Sequence, residues 1–390
     1  MNSTKTILGL FLSVFVMMIG VGMIVAVLPE RYMALSRSPH TVGSLATAFA
    51  FSYLLVQFRV GRLADRWGFK PFLVAGYWVC SAAGLCFYFS TDALMLILGR
   101  FIQGIGEAPV WSLAPAVLAL QHPNRMGRLM GGYNSILHVG LALGPATGML
   151  VIRWMPADAA FALYGVLCLL GGIILIFTLT PGRLAQPEAL QEVPGIREIS
   201  SFTADRRVTA VLIGVALYGA GYGAFLTVIP VFLTLVKGFG QTGIGWFFSA
   251  FYLAVGAASF LAGPLSDRFG RRGFMVVGLA AAAMGLALAP ALNSIVLAGL
   301  LILSILALGV FGISSLAFLN ECAGESAKGT YSGAYFLSWG LGMFSGPVLI
   351  GWVDASTTPG TGIRCFGIAM AIHALAMHRV LWAKPRPESG

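Results

Sequence analysis

Arg100 and Glu107 are the residues best placed to do chemistry in this chain of 390 residues. Both fall within the apolar run 94–119, where an ionisable group costs on the order of 3 kcal/mol and is a functional candidate by default. Seven residues apart on a helix, they share nearly one face, separated by roughly 10 Å along the axis. Helical side chains lean toward the N-terminus, so Glu107 leans toward Arg100. A bridge through water is compatible with that separation; direct contact is not expected. Glu107 offers a carboxylate that binds and releases a proton or pairs with a cationic substrate. Arg100 responds to the charge on Glu107 or binds an anionic group. The alternative for the pair is a fixed ion pair that organises one helix.

Further polar and aromatic residues are candidates for a central cavity. Tyr218, Tyr222 and Phe225 form one helical stripe, and Trp111 stands one turn from Glu107. Asn134 and His138 share a helix face, and Trp339 joins the set from late in the chain. An aromatic, modestly polar lining suits an amphipathic organic compound or a cation. Packing or lipid exposure is the alternative for each single aromatic, and His138 reads as a hydrogen-bonded packing residue before it reads as a ligand. Met17, Met18 and Met23 read as apolar filler rather than a copper path, so no metal site is expected. The five cysteines (Cys80, Cys86, Cys168, Cys322, Cys365) have no metal-type spacing, and disulfides are not expected. The chain has no phosphate loop and no nucleophile–base constellation. Neither ATP hydrolysis, an enzymatic activity nor a cofactor is expected.

These residues have to be positioned inside a membrane. Hydrophobic residues make up 58% of the chain and charged ones 10%, against about 25% charged in soluble domains. Apolar runs of spanning length recur over 7–29, 43–60, 72–90, 94–119, 129–151, 158–180, 208–236, 241–262, 274–292, 294–319, 329–352 and 362–382. Twelve such runs predict an all-α polytopic membrane protein, since helices alone satisfy their own backbone bonds in lipid at this length. The net charge of +10 follows topology rather than a nucleic-acid partner. With the N-terminus inside, 17 of the 24 Lys and Arg fall in cytoplasmic segments, five outside, and two near or within helices. The positive-inside rule then puts both termini in the cytoplasm. The first apolar run reads as a membrane span rather than a removed signal peptide.

The chain also repeats itself. Gly61-Arg62-Leu63-Ala64-Asp65-Arg66-Trp67-Gly68, running on to Lys70, recurs 202 positions later as Gly263-Pro264-Leu265-Ser266-Asp267-Arg268-Phe269-Gly270, running on to Arg271 and Arg272. Gly20, Gly22 and Pro29 recur as Gly221, Gly223 and Pro230; Tyr133, Gly140, Gly144 and Pro145 recur as Tyr335, Gly342, Gly346 and Pro347. Two pseudo-symmetric six-helix bundles are therefore expected over 1–180 and 208–390, joined by a cytoplasmic linker over 181–207. Parallel repeats of this kind are a transporter plan.

The hairpin string, the duplication and the twelve spans together resemble the major facilitator superfamily. Arg100-Phe101-Ile102-Gln103-Gly104-Ile105-Gly106 is similar to its R-x-x-Q-G-x-G motif. Gly140-x-x-x-Gly144-Pro145-x-x-Gly148 resembles the antiporter motif of its twelve-helix drug:proton antiporters and metabolite exporters. The resemblance implies a cell-membrane transporter (the inner membrane in a prokaryote) working as a monomer by alternating access. It implies protons and a small organic compound as partners, in a lipid bilayer. It also implies a cytoplasmic gate around Gly61, Asp65, Arg66, Gly68, Lys70, Asp267 and Arg268, in which Asp65 latches onto the helix beginning near Gly329. Anchoring of the basic residues to headgroups is the alternative. The motif glycines at 140, 144 and 148 share one face, which the resemblance packs against the opposite half; generic close packing is the alternative. This chain departs from the family pattern in having no acid in its first span before Glu30. Leu120-Gln121-His122-Pro123 stands where an acid often pairs with the hairpin arginine, and Glu321 is the candidate partner of Arg268 in the second half. The rivals are a proton-coupled importer or facilitator and, from another class, a non-transporting sensor.

Overall fold

The computed structural model describes residues 3–36, 41–121, 126–156, 158–180, 205–322 and 328–383; within its helices the side chains of Phe58, Gly61, Arg62 and Asp65 are among those outside the described set. Among the described residues the chain forms α1 (Ser3–Ser36), α2 (Ser44–Trp67), α3 (Phe69–Tyr88), α4 (Ala93–Gln121), α5 (Met126–Trp154) and α6 (Ala159–Thr178). The second half forms α7 (Arg206–Leu226), α8 (Val228–Leu235), α9 (Gln241–Phe269), α10 (Arg271–Leu288), α11 (Ser294–Cys322), α12 (Lys328–Ser356) and α13 (Thr361–Trp382). Eleven of these are long and apolar enough to cross a membrane. The apolar stretch of α2 is shorter, Ser44–Gln57, but the helix has 24 residues and is about 36 Å long. With α8 continuing the path of α7, the chain makes twelve passes, which bring its two ends to one face. Large apolar side chains point outward, as lipid requires: Phe177 is 83% exposed and Trp154 78%.

Each half is its own bundle. In the first, α1 packs on α5 and α6, α2 on α4, and α3 on α4 and α6; in the second, α7 packs on α12, α10 on α11 and α13, and α9 on α11. The halves meet along two seams, α5 against α9 and α2 against α12.

Three local features differ from the sequence expectation. The repeated string is not a loop. Its first seven residues finish α2 and α9, and one glycine makes each turn: Gly68 at φ 85° and Gly270 at φ 95°. Positive φ is open to glycine at little steric cost, so α3 and α10 start at the next residue. The span expected over 208–236 breaks at Thr227, whose φ is −131°. Pro230 has no N–H for the carbonyl of Leu226, and the helix yields there; the Thr227 hydroxyl donates to Gly223 O at 2.8 Å. Pro29, its counterpart, sits inside an unbroken α1. Finally, the glycine face of α5 packs within its own half. Gly140 lies on Phe15 and Met18, Gly144 on Ile19 and Gly22, and Gly148 on Met23, all in α1. The spacing announced a close approach, but its partner is α1 rather than the opposite bundle. Gly342 and Gly346 do the same in α12 against Ala216 and Ala220 of α7. The stretch 181–204, most of the expected linker, lies outside the described residues.

Candidate transport site

Arg100, Gln103, Glu107 and Trp111 recur at helical spacing on one face of α4. Its neighbouring glycines explain how that face is aimed. A Cβ on Gly104 would strike Ser52 and the carbonyl of Phe49 in α2, and one on Gly106 would strike Gly76 and Cys80 in α3. Both glycines let α4 sit tightly between α2 and α3, which fixes its rotation.

The polar face forms a continuous chain. Arg100 Nη1 donates to Gln103 Oε1 at 2.9 Å, and Gln103 Nε2 donates to Glu107 Oε1 at 2.8 Å. Trp111 Nε1 donates to Glu107 Oε2 at 2.9 Å. At its other end Arg100 Nε donates to Leu45 O at 3.3 Å, and the guanidinium stands 4.8 Å above the Phe49 ring. Arg100, Gln103 and Glu107 are all buried, at 4%, 0% and 3% exposure. The two charges are thus linked, and the bridge between them is Gln103 rather than water. Gln103 was visible in the motif and its spacing of three and four residues from the two charges was the available signal. A neutral amide shows less plainly than a charge, although its burial is also costly without partners.

Second-bundle residues complete the surroundings. Tyr53, Cys80 and Tyr164 of the first half and Tyr222 and Tyr252 of the second lie within electrostatic range of Glu107. Tyr222 packs between Tyr218 (6.3 Å between centroids) and Trp339 (5.8 Å). Phe225 does not join this set. It is fully buried against Phe247 and Phe251 and belongs to the packing of α7 on α9. His138 Nδ1 is bonded to Asn134 O at 2.8 Å, and its ring packs against Gly256 across the α5–α9 seam; the Asn134 side chain is exposed. A small cavity of about 10 Å³ separates Arg100 from Leu226 and Thr227, at the break between α7 and α8.

The seams close toward the face away from the chain ends. Thr47 Oγ1 donates to Phe344 O at 2.6 Å, and Gly43 lies on the backbone of Pro347 and Val348. Gln241 Nε2 donates to Glu30 Oε1 at 3.0 Å, and Gly245 lies on Met149. Mid-membrane contacts follow, Leu54 on Gly340 and His138 on Gly256. On the face of the chain ends, a Cβ on Gly263 of α9 would meet open space among the described residues.

The repeated strings end in matched anchors. Lys70 Nζ donates to Ile176 O at 2.7 Å near the end of α6, and Arg272 Nη1 donates to Leu381 O at 3.1 Å near the end of α13. Glu321 pairs with Arg271 rather than Arg268, and Arg271 also pairs with Asp267 at 2.6 Å. Arg268 instead lies over Phe269 at 5.4 Å. The Gly270 turn explains the exchange: Asp267 stands near the end of α9 and Arg271 opens α10, which puts Arg271 within reach of both carboxylates. Arg66 is exposed at the end of α2. The side chain of Asp65 and those at the start of α12, to which a latch was expected, lie outside the described set, as do the surroundings of Gly61. Among the described residues no group of His, Cys, Asp and Glu has the arrangement of a metal site.

Two parallel six-helix bundles meeting along two seams, with ionisable groups buried at the centre of one of them, define a polytopic membrane transporter. Residues 10–244 and 211–390 match the family model described as Major Facilitator Superfamily. The chain belongs to that superfamily. It is 25% identical over 358 residues to an uncharacterised MFS-type transporter of Methanocaldococcus jannaschii, covering 90% of this chain and 91% of that one. It is 30% identical over 149 residues to Multidrug resistance protein 2 of Bacillus subtilis, covering 38% of this chain and 37% of that one. Its fold is that of the nucleoside transporter NupG, with a TM-score of 0.80 at 14% identity over 96% of this chain and 98% of that one.

Proposed function

We propose that this secondary transporter exports a small organic compound in exchange for protons, by rocking its two bundles about the site on α4. The observation that carries the reading is the buried chain from Arg100 through Gln103 to Glu107 within a membrane-spanning helix. Glu107 is the proton carrier. Arg100 offsets its charge when ionised, and the rings of Trp111, Tyr218, Tyr222 and Trp339 give an organic substrate a flat apolar surface. Asn134 and His138 flank its path. Inward movement of one charge through 100 mV supplies about 2.3 kcal/mol, enough for roughly a fifty-fold gradient.

Export as the direction rests on the glycine series Gly140, Gly144, Pro145 and Gly148, and on the partial likeness to a multidrug resistance protein. The charge distribution supports cytoplasmic termini. With that orientation the closed seams are extracellular and the arrangement is inward-facing. Asp65, with Arg66 and Lys70, then serves as the latch that closes the cytoplasmic side in the opposite state, with Asp267 and Arg268 as its weaker copy.

The test is transport by reconstituted vesicles under an imposed pH gradient. Glu107→Gln should abolish uphill movement while leaving substrate exchange at equal pH. Unchanged coupling in that variant removes Glu107 from the proton path. Substrate accumulation on the side that protons enter would indicate symport and reverse the direction. No substrate-dependent flux across a broad panel would indicate a sensor.

A further inference from the structure

We propose that Gln103 is a positioning residue that carries the protonation state of Glu107 to the far-face gate by reversing its amide. The inference rests on the reading of Glu107 as the proton carrier and adds the route by which the proton is felt. The amide orientation is forced. Arg is donor-only and an ionised carboxylate acceptor-only, so Oε1 of Gln103 must face Arg100 and its NH₂ must face Glu107. Trp111 Nε1 occupies Oε2 of Glu107 and can only donate. A proton arriving on Glu107 is therefore accommodated best at Oε1, facing Gln103. There the carboxyl becomes a donor and needs an acceptor, which the amide supplies by turning its oxygen over. Its NH₂ then meets the guanidinium of Arg100, donor against donor, and the bond of 2.9 Å is lost.

Arg100 is the far end of the lever. It holds Leu45 O, in the first turn of α2, and the same turn carries Thr47, which donates to Phe344 O of α12. Gly43 just before it lies against Pro347. A cavity of about 10 Å³, the size of one water, lies between Arg100 and Leu226 and Thr227 at the helix break. The other titratable groups facing Glu107 are Tyr53 on α2, Cys80 on α3, Tyr164 on α6, Tyr222 on α7 and Tyr252 on α9. None of these is a carboxylate, so each stays neutral wherever a carboxyl group titrates.

The experiment is hydrogen–deuterium exchange of the full chain in lipid nanodiscs between pH 5 and 8, corrected for intrinsic exchange. The wild-type peptide covering 41–50 should exchange about tenfold faster at low pH, the equivalent of one lost hydrogen bond to a charged group. Gln103→Met, of similar shape, should remove that pH response. Glu107→Gln should remove it too. A response that survives in Gln103→Met but vanishes in Glu107→Gln overturns the relay and leaves the proton carrier standing. A response that survives in both overturns the carrier as well. If Gln103→Met does not fold, Arg100→Lys serves: a lysine cannot hold Leu45 O and Gln103 with one planar fork, and a retained response in that variant overturns the relay.

Discussion

α4 and α11 hold corresponding places in the two bundles, each packed between the helices of its own hairpin, and their interiors have diverged completely. α4 buries Arg100, Gln103 and Glu107 in one hydrogen-bonded chain. From Ser294 to Asn320, α11 has no charged residue at all. The scaffolds nevertheless match: glycine turns at Gly68 and Gly270, α5 seated on α1 as α12 is on α7, and Lys70 and Arg272 on the last turns of α6 and α13. One half folds around charges and the other reaches the same architecture without them. The charges are therefore not what builds a bundle, and their cost has to be offset by what they do.

The sharpest way to break that comparison is to make α4 resemble α11. Arg100→Met leaves Glu107 buried and uncompensated, which typically costs about 3–5 kcal/mol. A large fall in thermal unfolding temperature in detergent is expected. Adding Glu107→Gln removes the stranded charge, and the double variant should recover most of the stability while remaining unable to use a proton gradient. A double variant as unstable as the single one would make the pair part of the scaffold, and the contrast between the halves would lose its functional meaning.

Much of this was legible before the fold was known. Twelve apolar runs, the duplicated string and two charges at membrane depth follow directly from the cost of polar groups in lipid, so hydropathy reveals them. The rest depended on which groups meet, and hydropathy does not encode that. Gln103 is a buried amide whose spacing places it between the two charges, but hydropathy does not show which of its neighbours it bonds. The charged string ended the apolar pattern and read as a loop, although its residues continue the helices past the bilayer core to Gly68 and Gly270. The series Gly140, Gly144 and Gly148 announced a close helix contact but could not name the partner, because spacing encodes a face and not what lies across it. The pairing of Arg271 with Glu321 is hidden for a similar reason: the string supplies Arg268 in α9 and Arg271 in α10, and the Gly270 turn between them decides which reaches Glu321.

A middling effect tests the shared scaffold. An added methyl at Gly144 would stand 2.6 Å from Gly22 Cα and from Met23 N. Backbone cannot move aside cheaply, and Gly144→Ala should cost about 1–3 kcal/mol by overpacking. Gly346→Ala meets Ala220 in the same way and should cost as much, if the halves are equivalent there. Gly299→Ala in α11 has open space and should be neutral or stabilising by up to about 1 kcal/mol. Unequal losses at Gly144 and Gly346, read as unfolding temperatures, would show that the two seats have diverged as the charges have.

The smallest effect concerns the anchors. Lys70 and Arg272 place a cation on carbonyls at the ends of α6 and α13, where unsatisfied oxygens and the helix dipole favour positive charge. Such contacts contribute about 0.3–1 kcal/mol at exposed positions and weaken with salt. Lys70→Ala and Arg272→Ala should each lower the unfolding temperature slightly, by similar amounts, with the difference shrinking at high ionic strength. Lys70 differs in belonging to the string that also carries Asp65, the proposed latch. If Lys70→Ala slows transport well beyond what its stability loss explains while Arg272→Ala does not, the first hairpin has a second duty that its copy has lost, and the division of labour seen in α4 and α11 extends to the gate.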